Sequence, residues 1–290
     1  MKPSVIPKPF LKWAGGKHRL LPILSGYIPK MFRNYHEPFL GSGALFFWLY
    51  RHNYLCSGVF LSDINKELID TYIAVMRNPK KVMALLDSYP YDRSFFYRLR
   101  EKNPEELSLV ERAARMIYLN KTCYNGLYRV NKGGKFNVPF GRYNNPKYYE
   151  YENIMAVSAA LQNTTIRCAS FEIVLDTSQP GDFVYFDPPY LPVSITSRFS
   201  SYYKDGFSLD DHLRLRDVCI ELTRRGVYVM LSNSYTETTI NLYSIEGFYI
   251  NTVDVSRPIN RMKSKRGRIK EVVITNYPVC RQIKLPLFEW

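Results

Sequence analysis

Asp182-Phe183-Val184-Tyr185-Phe186-Asp187-Pro188-Pro189-Tyr190 is the stretch on which the fold turns. A short apolar run meets a proline pair, and proline cannot donate to a sheet ladder, so a buried strand must stop there. The stop leaves a carboxylate, two backbone carbonyls and an aromatic ring at a strand's C-terminal end. In open α/β sheets, ligands bind at that end.

Strands and helices alternate on both sides of this stretch. Upstream, Tyr35 to Gly43 reads as a strand and a Gly-x-Gly turn, followed by an apolar helix over Ala44–Tyr50. Phe46 stands where a dinucleotide fingerprint would place its third glycine. The strand Gly58–Ser62 ends at Asp63, an acid placed either to accept hydrogen bonds from a ribose hydroxyl pair or to cap the helix Asn65–Met76. Downstream, Thr165–Cys168 is a strand, Ser208–Arg225 a helix, Val227–Ser232 a strand and Tyr235–Ser244 a helix. Phe248–Val255 and Glu271–Asn276 come next without a helix between them, which predicts antiparallel pairing at the sheet edge.

Near the start, Phe10 to Lys17 with its Gly15-Gly16 pair precedes an amphipathic stretch, His18 to Tyr27, that predicts a helix ending near Pro29. A glycine pair before a helix lets backbone amides approach an anion. It is not a P-loop, because the first glycine and the Ser/Thr after Lys17 are missing.

Asn78 to Asn120 is helical in period throughout and interrupts the α/β alternation as an insertion. Asn120 to Lys147 then holds six basic residues and no acid. Its centre, Gly126 to Pro139, alternates around Gly133-Gly134 and reads as a β-hairpin. A two-stranded ribbon with basic and amide side chains suits a major groove. Arg257 to Lys270 adds seven basic residues and again no acid, a composition suited to phosphate contacts.

The 290 residues are 46% apolar, enough for a real core, and the net charge of +14 points to a polyanionic partner, nucleic acid first. No apolar run has transmembrane length and the first residues lack a signal-peptide core, so a cytoplasmic location with no membrane is expected. Cys56, Cys123, Cys168, Cys219 and Cys280 are odd in number and scattered, and four histidines share no ligand spacing. No disulfide framework and no metal are expected, the His52/Cys56 pair included.

Phe10–Lys17, Glu37–Gly43, Asp63, Tyr124-Asn125-Gly126-Leu127 with Arg129, Phe136–Arg142 and Asp187–Tyr190 together resemble the Dam-type (α-class) DNA adenine-N6 methyltransferases, most closely the GATC-methylating members of restriction-modification systems. The resemblance covers nearly the whole chain. It implies a Rossmann-like α/β methyltransferase sheet with an antiparallel edge strand, formed by residues 1–66 and 149–290, and an inserted, mainly helical recognition domain with a β-hairpin over residues 67–148. It implies S-adenosylmethionine as cofactor, with Trp13, Ala14, Gly15, Lys17, Phe39, Gly41, Asp63 and Asp187 in its pocket. Asp187, Pro188 and Tyr190 match the catalytic motif. Lys12, Tyr124, Asn125, Leu127, Arg129 and Pro139 match positions at the bases of GATC, and Asn131 and Arg142 match backbone contacts. The expected activity is methyl transfer to adenine N6 in double-stranded DNA by base flipping, with no obligate protein partner. A DNA-binding regulator without catalysis, or a methyltransferase for RNA or cytosine N4, are the competing readings.

Overall fold

A computed structural model describes residues 5–17, 20–55, 57–131, 133–191, 207–256 and 268–279. The chain divides into two compact units, Met1–His18 with Arg33–Ser178, and Arg19–Phe32 with Gln179–Trp290. The fold is α/β, with seven strands in a mixed parallel and antiparallel arrangement among the described residues.

In the first unit, β1 (Tyr35–Glu37), β2 (Val59–Asp63) and β3 (Thr164–Cys168) pair in parallel in the order β3-β2-β1. After β1 the chain turns through Gly41 (φ 48°) and Gly43 (φ 66°) into helix α2 (Ala44–Arg51). Gly43 offers no side chain to cap that helix. The buried Glu37 serves instead, its Oε2 accepting from the Phe46 amide at 3.2 Å and from the Tyr35 hydroxyl at 2.9 Å.

Helices α3 (Lys66–Arg77), α4 (Pro79–Asp87), α5 (Arg93–Glu101) and α6 (Leu109–Thr122) follow the predicted helical period, with no strand among them in the described residues, and α7 (Tyr151–Leu161) comes after the hairpin. Three of the starts are chemically marked: Asn65 caps α3, Asp92 caps α5, and Ser108 with Glu111 forms a capping box on α6. Two ion pairs join α6 to α3, Arg112 to Asp70 and Arg115 to Glu67, with all four side chains at most 14% exposed.

The expected hairpin over 126–139 is present as a turn with little ladder. Val130 and Phe136 form one antiparallel bridge, and Cys123 and Phe140 another. The Asn131 side chain takes the place of further ladder: its Oδ1 accepts from the amides of Gly133 and Lys135, both at 3.0 Å.

In the second unit, β4 (Phe183–Phe186) is wholly buried and pairs in parallel with β5 (Tyr228–Ser234). Between them runs a helix, Leu209–Arg224. β6 (Tyr249–Ser256) and β7 (Arg268–Thr275) are antiparallel to each other, as predicted, and β7 is also antiparallel to β5, giving the order β4-β5-β7-β6. The short α8 (Val174–Thr177) belongs to the first unit; in the second, the helix Leu209–Arg224 is α9 and Glu237–Tyr243 is α10.

One predicted element is corrected. The described part of His18–Tyr27 is a four-residue helix, α1 (Leu21–Leu24), followed by a 3₁₀ turn, Ser25–Tyr27. Pro22 is the reason, since proline is accepted only in a helix's first turn and obliges the helix to begin beside it. His18 and Arg19, which link the Gly15-Gly16 pair to this helix, lie outside the described residues. The basic residues from Arg257 to 267, and the stretch 192–206 after the proline pair, lie outside the described residues.

Candidate active site

The first unit gathers Trp13, Gly41 and Asp63. Asp63 ends β2, and its carboxylate joins two strand ends, Oδ2 accepting from the Gly41 amide at 3.1 Å and Oδ1 from the Asn65 amide at 2.9 Å. The helix cap is Asn65, which accepts from the Leu68 amide at 3.1 Å, so of the two readings of Asp63 the capping one is set aside. Burial raises the Asp63 carboxyl above the usual carboxylate range, opposed by the amides of Asn65, Gly41 and Ile64.

Gly41 is required by its neighbour as well as by its positive φ: a Cβ there would lie 2.8 Å from Cδ1 of Trp13. The Trp13 indole also stacks on Tyr128, with ring centroids 4.9 Å apart. Phe39 stacks on Phe171 at 5.6 Å. Ala14 and Gly15 are exposed, whereas Lys17 is buried and donates from Nζ to the Gly15 carbonyl at 2.8 Å. Ile64, beside Asp63, is 77% exposed, an apolar surface absent from the sequence-based expectations; its signal is an isoleucine directly after a strand-end acid.

Most of the predicted DNA-contact residues also meet in this unit. Asn120, buried in the last turn of α6, clamps Lys12 on both sides: Oδ1 accepts from the Lys12 amide at 2.8 Å and Nδ2 donates to the Lys12 carbonyl at 2.7 Å. The same Nδ2 reaches the Gly126 carbonyl at 3.2 Å, and the Tyr124 amide donates to the Pro139 carbonyl at 2.9 Å. Lys12, Tyr124–Leu127 and Pro139 thus share one frame. Tyr124 and Leu127 are left large, apolar and exposed, with Asn125 between them at φ 56°. Arg129 is exposed and aimed by Asn137, whose Oδ1 accepts from its Nε at 2.7 Å. Asn131 is occupied in the turn, and Arg142 stands exposed beyond Gly141.

In the second unit, Asp187 follows β4 directly and is half-buried, Pro188 is buried and Pro189 exposed. The Tyr190 hydroxyl donates to Glu271 Oε2 at 2.9 Å, and the next amide, Leu191, donates to Asn233 Oδ1 at 3.2 Å. Burial pushes the Tyr190 phenol well above its ordinary range, and the acids Asp187 and Glu271 push it the same way.

A D12-class N6 adenine-specific DNA methyltransferase family model matches residues 13–257, most of the chain. A Type II methyltransferase of Lactococcus lactis subsp. cremoris is 42% identical over 278 residues, covering 93% of this chain and 95% of its own. A Type II methyltransferase of Methanocaldococcus jannaschii is 43% identical over 289 residues (93% and 99%), and a DNA adenine methylase of Escherichia coli is 33% identical over 273 (93% and 95%). The chain belongs to the D12 class of N6 adenine-specific DNA methyltransferases. It is an adenine-specific DNA methyltransferase that depends on S-adenosylmethionine, and DNA is its substrate.

Three side chains around the methyltransferase's proline pair lie beyond the reach of the sequence pattern. Asn233 and Glu271 are two, and His212 on α9 is the third. His212 is 1% exposed, hydrogen-bonds the Pro189 backbone and meets the Phe207 ring edge-on at 4.7 Å. Burial pushes its imidazole from 6.5 down to about 4, although neighbouring Asp211 and the Pro189 carbonyl favour the cation. The unfolded chain therefore binds this proton more readily, so stability is complete above pH 6.5 and declines as pH falls toward 4. His212→Gln, which keeps a donor for Pro189, is expected to flatten that decline in urea midpoints measured between pH 7 and 4; an unchanged slope would assign it to other groups. Among the described residues, no cluster of His, Cys, Asp or Glu is able to hold a metal ion, and no helix is long and apolar enough to cross a membrane.

Proposed function

We propose that the enzyme methylates adenine N6 within GATC of double-stranded DNA, after rotating the adenine out of the helix, in the manner of a restriction-modification methylase. The observation that carries this reading is the end of β4, where an acid, a proline pair and a tethered tyrosine stand in fixed order after a buried strand. The residues of the first unit suit S-adenosylmethionine: Asp63 as acceptor for ribose hydroxyls, Gly41 as a close backbone approach, exposed Ile64 and half-buried Phe39 as apolar surface, and Trp13, Ala14, Gly15 and Lys17 beside them. When bound, the cofactor supplies an electrophilic methyl group.

The protein's part is to make a poor nucleophile competent. The adenine amino lone pair is delocalised into the ring. With Asp187 accepting one amino hydrogen and the Pro188 carbonyl the other, the nitrogen approaches tetrahedral geometry and the pair is localised. Tyr190 stacks on the base, and its π-face favours the positive charge that grows on the amine. Asp187 need not be a strong base, because the proton becomes acidic only as the new bond forms. Orientation of two bound reactants supplies roughly 7–11 kcal/mol.

Extruding the base costs a few kcal/mol, in this reading offset in part by Tyr124, 56% exposed, filling the gap. Lys12, Asn125, Leu127 and Pro139 read the site from one frame, with Arg129 reading beside it, while Asn131 and Arg142 meet the backbone. The recognition domain in this reading is residues 67–148. Incubating the chain with labelled cofactor and duplexes with or without GATC tests the reading, and equal labelling of both would sink the site assignment. Arg129→Ala is expected to relax discrimination at one base pair by about 1–3 kcal/mol, read as kcat/KM ratios across single-base variants of the site.

A further inference from the structure

The antiparallel strand β7 enters the sheet from the side on which β4 and β5 end. Its register sets Glu271 opposite Ser234, the last residue of β5. A residue 81 positions beyond Tyr190 is thereby brought to that tyrosine's hydroxyl, 2.9 Å away. Glu271 is also chemically out of place, as the only acid between Asp254 and Glu289, a stretch with nine Lys and Arg residues. It is half-buried, between the exposed Lys270 and the buried Val272. Neither ladder pairing nor core packing calls for a carboxylate there.

We infer that Glu271 is a positioning residue for methyl transfer, fixing the plane of the Tyr190 ring against the target base and enriching the ring in electron density through the phenol-to-carboxylate hydrogen bond. The inference rests on the reading of Tyr190 as the residue that stacks on the adenine. A hydrogen bond from a phenol to a carboxylate is about twice as strong as one between neutral groups, and it holds the ring in one of its allowed orientations. Electron density drawn onto the ring strengthens its attraction for the positive charge forming on the amine. Glu271 contributes to the chemical step without touching the base.

The test is a double-mutant cycle in the full chain, read as single-turnover methylation of a duplex the wild-type enzyme methylates. Glu271→Ala is expected to slow the step roughly 10- to 100-fold, with cofactor affinity by tryptophan fluorescence and duplex affinity by gel shift unchanged. Glu271→Gln, which keeps an acceptor without the charge, should fall between. In the Tyr190→Phe background, Glu271→Ala should cost less than about twofold, because the bond is already gone. Additive losses in the cycle, or equal losses for Ala and Gln, overturn the positioning role. Tyr190→Ala separates the two levels: if it leaves the rate unchanged, the stacking role of Tyr190 fails and the inference fails with it; if it disables the enzyme while the cycle is additive, only the inference fails.

Discussion

Asp187→Ala is expected to lower the single-turnover rate of adenine methylation by roughly 10²–10⁴-fold while leaving duplex affinity within about twofold. The reason lies in what the carboxylate does. In the proposed mechanism it accepts a hydrogen bond from one amino hydrogen and so localises the lone pair, an interaction that strengthens as the amine becomes tetrahedral, so its loss falls on the rate of transfer and spares binding. Asp187→Asn is the sharper control. It keeps one acceptor oxygen and is expected to retain more activity than Ala. Rapid-quench transfer with excess enzyme, paired with gel-shift binding, checks both variants. Near-normal transfer by Asp187→Ala would remove Asp187 from the mechanism and with it the main support for the proposed chemistry.

The second large effect is on stability. Arg115→Ala is expected to destabilise the protein by about 3–5 kcal/mol, the usual result of removing one partner from a buried ion pair. Arg115 has a side chain only 3% exposed, paired to Glu67, itself 12% exposed. It also donates from Nε to the Leu99 carbonyl at 3.1 Å and from Nη2 to the Arg100 carbonyl at 2.8 Å, so one guanidinium holds the end of α5 and the start of α3 on α6. Glu67 is raised above the usual carboxylate range by burial, with Arg115 opposing, and its Oε2 lies 3.5 Å from the Tyr128 hydroxyl. Removing the cation leaves that acid buried and two carbonyls unmatched. Replacing both partners together, Arg115→Met with Glu67→Leu, should recover most of the loss. Urea unfolding of Arg115→Ala and of the double variant, each against the unaltered protein, checks this; a loss below about 1 kcal/mol for Arg115→Ala would mean that the pair behaves as an exposed one.

These two expectations differ in how far the sequence alone supports them. Asp187 is visible from its neighbours in the chain, because an apolar strand halted by two prolines marks a strand end with a carboxylate at it. The same holds for the Gly-x-Gly turn after β1, for Asp63 at the tip of β2, for the helical run from Asn78 to Asn120, and for the antiparallel pair β6 and β7. The turn, the strand tip and the helical run are set by interactions between residues a few positions apart, where period and proline or glycine chemistry act directly, and the β6/β7 pairing is legible because no helical stretch separates two successive strand patterns. Over the described part of His18–Tyr27 the helix is only Leu21–Leu24, because Pro22's demand for a first-turn position outweighs the amphipathic pattern.

Arg115, Asn120, His212, Asn233 and Glu271 are of another kind. Each is a polar residue on a helix or strand whose local pattern is fully explained without it, and each acquires a partner from outside its own element. Asn120 meets Lys12 across 108 positions, and Glu271 meets Tyr190 across 81. The sequence by itself determined the class of fold, the strand end that carries the acid and tyrosine, and the family resemblance. Only the tertiary structure decided what holds those groups in place, because strand register and helix packing select which distant polar atoms come within hydrogen-bonding distance, and neither is written in the local pattern.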